Sequence, residues 1–410
     1  MIVTGQLVCP QKDRSIETHA GWVEVSDGRI AGINTDALHP NPDLGGEDCV
    51  IFPGFVDCHL HLPQFCVVGL HGLPLLDWLE ATVFPAEARW SDAEHARQAT
   101  ANAVDQLFSC GTTAIFAFGT VHPQAVEAAL SECLAKRIRS RVGLVLMDQQ
   151  CPSYLSRGVA EQIEDAGRLV QEWPDATCNP SPVVAATLAP RFAVSCSQEL
   201  LAGAGRIARS SGAFVQTHLS ETEAELEVVS RLHPGSQNYT AVYEEAGLLG
   251  PRTLLGHGIW LSEEERECLR HHESVIAHCP VANSFLRSGA MDRDAYLESG
   301  MNVALGTDIG GGHHRSMVRV AQEMIATAAV LKNKPASSEE AWWQITRGNA
   351  DAVGWSDVSR IEVGAEASLV VAKPDISWRE YPDPLGSLLF GWDDRWIDAT
   401  LSLGETVYRR

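Results

Sequence analysis

Long apolar runs are missing from this 410-residue sequence. No segment approaches the roughly 18 uninterrupted apolar residues of a membrane-spanning helix. The opening Met1-Ile2-Val3-Thr4-Gly5-Gln6 lacks the basic-then-apolar plan of a secretory signal. A cytoplasmic location without a membrane partner is therefore expected. Paired cysteines are missing too. The eleven cysteines are odd in number, spread from Cys9 to Cys279 and never spaced C-x-x-C, so neither a disulfide framework nor a thiolate zinc site is indicated. Reduced, mostly buried thiols are expected instead. Positive charge is scarce: 31 Lys and Arg stand against 53 Asp and Glu, a net charge of −22. That field repels a polyphosphate backbone at long range, which removes nucleic acid from the expected partners. Repeats and low-complexity tracts are also absent. What remains is 45% hydrophobic and 20% charged, enough apolar surface for a globular core to offset chain entropy.

The texture of the chain changes twice. Residues 1–8 and 21–25 are short β-rich pieces broken by polar and glycine punctuation such as Ser26-Asp27-Gly28, which reads as a small sheet. From about Val50, apolar runs of four to seven residues alternate with helical patterns, the signature of βα units on a parallel sheet. The runs cover 55–61, 113–118, 142–146, 183–188, 214–219, 253–257, 275–278 and 303–307. Eight such units predict a closed (β/α)₈ barrel with its reactive face at the strands' C-terminal ends. Ser220 precedes Glu223 by three residues and Ser262 precedes Glu265 by three, so both are expected to start helices with capping boxes. After a helical stretch over 337–353, β texture returns at 367–371 and 401–407. The two chain ends are expected to meet in one small β domain, 1–52 with 362–410, beside a barrel over 53–361.

Asp57-Cys58-His59-Leu60-His61 closes the first barrel run. Side chains two apart on a strand point to one side, so His59 and His61 can present two imidazoles to one metal. An isolated H-x-H means little, but three further runs end in ligand types: His218, His257 and Asp308. All map to the same barrel rim. Imidazoles with a carboxylate and no sulfur suit a catalytic Zn²⁺ or a similar divalent ion such as Fe²⁺, one per chain, with an open position for water. Such an ion lowers the pKa of bound water to about 7, and hydrolysis is its natural use. Glu221, three residues beyond His218, is placed by the expected Ser220 cap in the first turn of a helix. The helix dipole alone favours an acid there, but beside such a water a carboxylate is the expected proton carrier.

This ligand order on eight βα units resembles the amidohydrolase superfamily, and finer motifs resemble the guanine deaminase family within it. They are Pro53-Gly54-Phe55-Val56-Asp57-Cys58-His59-Leu60-His61-Leu62-Pro63-Gln64, residues 75–90, Phe118-Gly119-Thr120-Val121-His122-Pro123, Met147-Asp148, Pro190-Arg191-Phe192, Gln216-Thr217-His218-Leu219-Ser220-Glu221, Asn238-Tyr239-Thr240, His278-Cys279-Pro280 and Gly306-Thr307-Asp308. The likeness runs from about Val50 to Val353. It implies hydrolytic deamination of guanine at C2, giving xanthine and ammonia. His59, His61, His218, His257 and Asp308 would be the metal ligands, although His257 would equally serve by hydrogen-bonding the water. Glu221, Asp308 and His257 would be catalytic, with Glu221 moving a proton from water to N3 and Asp308 helping to protonate the leaving amine. Gln64 and Arg191 would read the carbonyl O6 and the ring edge, Phe192 would lie against the flat purine, and His218 and Glu221 would complete the substrate contacts. A homodimer is the expected assembly.

One segment departs from the family pattern: His313-His314-Arg315, after Ile309-Gly310-Gly311-Gly312, is bulkier and more basic than expected and puts substrate size in question. The triple glycine lacks the Gly-Lys-Ser/Thr ending of a phosphate loop. His313-His314 and His271-His272 read as solvated pairs. The runner-up function is attack on another flat N-heterocycle, a pterin, a triazine or another aminopurine, on the same metal centre. A catalytically dead scaffold or a metal store would not need all five ligand positions and Glu221 filled.

Overall fold

The computed structural model describes residues 1–175 and 182–410. Its strands, in chain order, are β1 (Ile2–Pro10), β2 (Ile16–Ser26), β3 (Arg29–Asn34), β4 (Leu44–Pro53), β5 (Phe55–His61), β6 (Thr112–Phe118), β7 (Arg139–Leu146), β8 (Val184–Pro190), β9 (Val215–Leu219), β10 (Thr253–His257), β11 (Val275–His278), β12 (Asn302–Leu305), β13 (Leu369–Ala372), β14 (Ile397–Ser402) and β15 (Glu405–Arg409). Among the described residues they form two sheets. One runs β12-β11-β10-β9-β8-β7-β6-β5, and the other β15-β14-β13-β4-β1-β2-β3. The first is parallel throughout, and β6 to β11 are buried along their whole lengths, as strands covered on both faces must be. The expected (β/α)₈ barrel and the sheet made from both chain ends are thus both present. The N-terminal reading fell short only in extent, because β3 and β4 extend that sheet beyond the two pieces anticipated.

Side chains close the barrel where β12 returns to β5. The Asn349 amide donates to the carbonyls of Val56 (2.8 Å) and Leu305 (2.9 Å) and accepts from the Leu305 N–H (2.8 Å). The Asp57 carboxylate accepts from the backbone of His59 and Thr307 and from the Thr307 hydroxyl. A direct bond from Asp308 N–H to the His59 carbonyl, 2.7 Å, completes the seam. These groups do the work of a backbone ladder, so the two strands that carry the first and last ligand types are tied to each other. Beneath them, Phe52 at the end of β4 and Phe55 at the start of β5 pack with Trp342 and Trp392, Phe52 stacking on Trp342 at 4.4 Å. Such ring pairs add about 0.5–1.5 kcal/mol each beyond area burial and join the terminal sheet to the barrel helices.

Helix starts correct one expectation. Ser262 and Glu265 do form a capping box for the helix Glu263–His271. Ser220, however, caps nothing: the helix Glu223–Leu232 is capped by Thr222, whose reciprocal partner is Glu225. The reason is that Ser220 still belongs to the strand end. Its φ of 50° turns the chain, and its carbonyl accepts from the N–H groups of Ile259 and Trp260 beyond β10. Glu221 therefore precedes the helix and is held by the Glu225 carboxylate, which accepts from its N–H at 2.9 Å. Of the ten described cysteines none is in a disulfide and most are buried, while Cys178 lies outside the described residues. Among the described residues no helix is long and apolar enough to cross a membrane.

Candidate active site

Strand ends deliver the cluster. β5 carries an extra residue against β6 between Asp57 and Leu60, a bulge that re-aims the side chain at its crest. His59 and His61 are left with ring centroids 5.4 Å apart and planes at 77°. The strict two-residue alternation of the sequence argument is thus modified by the bulge, yet both rings still reach the rim. His61 Nε2 lies 3.1 Å from His218 Nε2 and 3.3 Å from Asp308 Oδ1, and His59 Nε2 lies 3.5 Å from the same oxygen. His257 Nε2 is 3.4 Å from Glu221 Oε2 and 3.9 Å from Asp308 Oδ2. Three positions at this rim, Ser220, His257 and Asp308, have positive φ without being glycine. That strain costs on the order of 1–3 kcal/mol each and is tolerated where the surroundings fix the geometry.

The donor set fits a metal ion. His218 Nδ1 lies 2.6 Å from the Arg191 carbonyl, which only accepts, so Nδ1 carries the proton and Nε2 offers a lone pair to the cluster. His257 Nδ1 donates to Asn283 Oδ1 at 2.9 Å with the same result. His59 Nε2 is buried with no hydrogen-bond partner. Burial pushes His59 down, His61 down to about 4 and His218 well down, which keeps these imidazoles neutral. Burial acts the same way on His257, but Glu221 and Asp308 outweigh it and raise that ring. Asp308 resists the upward pull of burial through His59 and His61 and is held well below the usual carboxylate range. Neutral nitrogens and an ionised carboxylate converging within ligand distance of one another are what a divalent cation requires. Space is reserved for them: a Cβ at Gly306 would stand 2.5 Å from the His59 Cβ, and one at Gly310, φ 114°, would stand 2.3 Å from Gln64 Oε1. Gly310, the first of the triple glycine, accordingly clears room for Gln64.

A cavity opens onto this cluster. Its lining includes Gln64, Arg191 and Phe192 with His61, His218, Glu221, His257 and Asp308, closed by Leu75, Trp78, Leu79 and Leu286. Every residue singled out in the sequence for metal, chemistry or recognition therefore lies in or directly beneath one cavity. Glu221 is anchored by the Ser288 hydroxyl on Oε1 at 2.8 Å, which leaves Oε2 toward His257. Burial pushes Glu221 up to about 7. Arg191 is aimed by Glu87, whose two oxygens accept from Nη1 at 2.7 and 2.8 Å while the guanidinium lies over the Phe84 ring. Phe192 meets His218 edge-on. His313, His314 and Arg315 do not line this cavity, and His313 packs instead beside Phe285.

Sequence reasoning passed over Glu87, Ser288 and Asn283. Glu87 had one detectable signal, a carboxylate among the apolar Phe84, Pro85 and Ala86. Ser288 and Asn283 had none, because they come from the segment after β11 and act only through tertiary contact.

The chain belongs to the amidohydrolase family. The model of that family matches residues 50–407. A guanine deaminase of Escherichia coli is 33% identical over 372 residues, 88% of this chain and 83% of that protein. One from Dictyostelium discoideum is 34% identical over 318 residues, 76% and 69% of the two chains. Among solved structures, a guanine deaminase from C. acetobutylicum with guanine bound in its active site superposes with a TM-score of 0.91 at 28% identity, covering 99% of both chains. The family match accounts for the barrel, and the superposition, which covers 99% of the chain, extends the likeness to the terminal strands.

Proposed function

We propose that this chain is a guanine deaminase, removing the C2 amine of guanine with water to give xanthine and ammonia. The observation that carries the reading is the single cavity in which an amide, a guanidinium and an aromatic ring face an imidazole–carboxylate cluster. Its lining, a few polar groups set among the apolar walls of Leu75, Trp78, Leu79 and Leu286, suits a flat heterocycle. Gln64 and Arg191 bind the ring edge and O6, and Phe192 lies against the purine plane. Because Glu87 fixes the guanidinium beforehand, little orientation is lost on binding.

His59, His61, His218, His257 and Asp308 would hold one divalent ion, Zn²⁺ in preference to Fe²⁺, since the set combines imidazoles with a carboxylate and no sulfur. Bound there, the ion makes water acidic enough to supply a nucleophile at neutral pH. Glu221 takes the proton of the attacking water on Oε2 and passes it to N3. A carboxyl titrating near 7 suits both halves of that transfer. Asp308 assists protonation of the leaving amine. His257, fixed by Asn283, either completes the ligand set or holds the water. The same reading places the enzyme in the cytoplasm as a homodimer and divides the chain into 1–52 with 362–410 and a barrel unit over 53–361.

The test is loss of ultraviolet absorbance from guanine within a panel of adenine, a pterin and a triazine, joined to metal analysis. Guanine should be consumed fastest. Adenine carries an amine in place of O6 and should be disfavoured by roughly 10⁴-fold or more, because the buried polar groups would be mismatched. A pterin or triazine consumed faster would overturn the substrate while leaving the hydrolase.

A further inference from the structure

His272 does not stand free in solvent beside His271. It caps the C-terminus of the helix Glu263–His271, and its Nε2 lies 3.0 Å from Oε1 of Glu244 on the neighbouring helix Tyr239–Ala246. Cys268 lies one turn earlier, on the same face of the helix as His272. The nitrogen, sulfur and oxygen all lie within 4.8 Å of one another. A second observation points the same way. Glu244 sits in the last turn of its helix and His272 ends the other, so two helix C-termini, each with partial negative charge on its last carbonyls, meet at the cluster. The Glu244 and His272 side chains are 49% and 30% exposed, which leaves a route for an ion.

We propose that Glu244, Cys268 and His272 form a second divalent-metal site of the zinc class, separate from the barrel mouth. One sulfur, one nitrogen and one oxygen suit a borderline-soft ion, with water in the fourth position. On binding, the Cys268 thiol gives its proton to solvent as the sulfur–metal bond forms. The ion would clip two helices together. One of them carries Tyr239 and Tyr243, whose hydroxyls bond the Glu225 carboxylate at 2.6 Å and the His218 carbonyl at 2.7 Å. Because Glu244, Cys268 and His272 lie outside the barrel-mouth cavity, the ion acts on the stability of this helix pair and leaves turnover unchanged.

Cobalt(II) loaded into the full-length protein separates the two sites, because the barrel-mouth ligands contain no sulfur. A thiolate-to-cobalt charge-transfer absorption is expected in the wild type and is lost in Cys268→Ser. Zinc analysis should give two equivalents per chain for the wild type and one for Cys268→Ser, His272→Ala and Glu244→Gln, with guanine turnover unchanged in all three. Zinc should raise the melting temperature of the wild type above that of Cys268→Ser. Absence of the absorption in the wild type, its survival in Cys268→Ser, or a single zinc equivalent in the wild type would overturn the proposal.

Discussion

The two ends of the barrel bury charge in opposite ways. At the floor, Arg141 donates to both oxygens of Asp175, at 2.7 and 3.1 Å, and to the Val353 carbonyl, while Asp175 also accepts from Arg252 at 2.7 Å. The Arg141 guanidinium lies over the rings of Phe214, Trp355 and Phe116. Beside it Arg139 pairs with Glu366, both about 1% exposed, tying β7 to the segment before β13. At the mouth, His59 Nε2, His61 Nδ1 and Gln64 Oε1 are buried without hydrogen-bond partners among the described residues. At the floor each buried charge meets its counter-charge, whereas at the mouth ring nitrogens are left without hydrogen-bond partners. A floor whose charges neutralise one another is a plug, whereas a mouth that gathers imidazole nitrogens and a carboxylate within reach of one another could hold an ion.

That contrast can be broken from either side. The largest expected effect is at the mouth: prolonged chelation should abolish guanine turnover, and His59→Ala should lose metal and turnover together, as metal analysis alongside the ultraviolet assay would reveal. Next comes Glu221→Gln, which should keep the metal and the fold while lowering kcat by roughly 10²–10⁴-fold, the usual contribution of general acid–base transfer. Near-normal turnover would remove Glu221 from the chemistry. At the floor, Asp175→Asn should cost about 3–5 kcal/mol in denaturant unfolding, because it strips Arg141 of its buried counter-charge. The kcat of the folded fraction should be unchanged, and a loss of kcat with stability intact would erase the distinction between the ends. Asn283→Ala frees the His257 ring and should weaken metal binding or activity by about 10–100-fold. The smallest effect is expected at His313→Ala: less than about 0.5 kcal/mol in stability and no measurable change in guanine turnover, since this residue lies outside the cavity.

Most of the mouth was legible because its residues lie at or just beyond the ends of their strands. A ligand type closing an apolar run can be seen without knowing what lies beside it, as with His218 after Val215 or His257 after Thr253. The floor was not legible. β7 begins at Arg139, three residues before the apolar run seen in the sequence, because Arg139 and Arg141 look like loop residues until Glu366 and Asp175 are found opposite. The Ser220 cap failed for a related reason: serine followed three residues later by glutamate satisfies a local rule, but Ser220 and Glu221 are held by Ile259, Trp260, Ser288 and Glu225 from elsewhere in the fold.

The sequence by itself determined the barrel, the terminal sheet and the imidazoles and carboxylate at the rim, since each is written in local periodicity, whereas Gln64, Arg191 and Phe192 stood out only through the family resemblance of their motifs. Only the tertiary structure decided which way those groups face. The β5 bulge aims His59, Glu87 fixes Arg191, Ser288 anchors Glu221, and the Asn349 and Asp57 side chains close β12 onto β5. The physical reason is common to all four. A buried polar group must find a partner across space, and no local pattern records which distant residue that partner is.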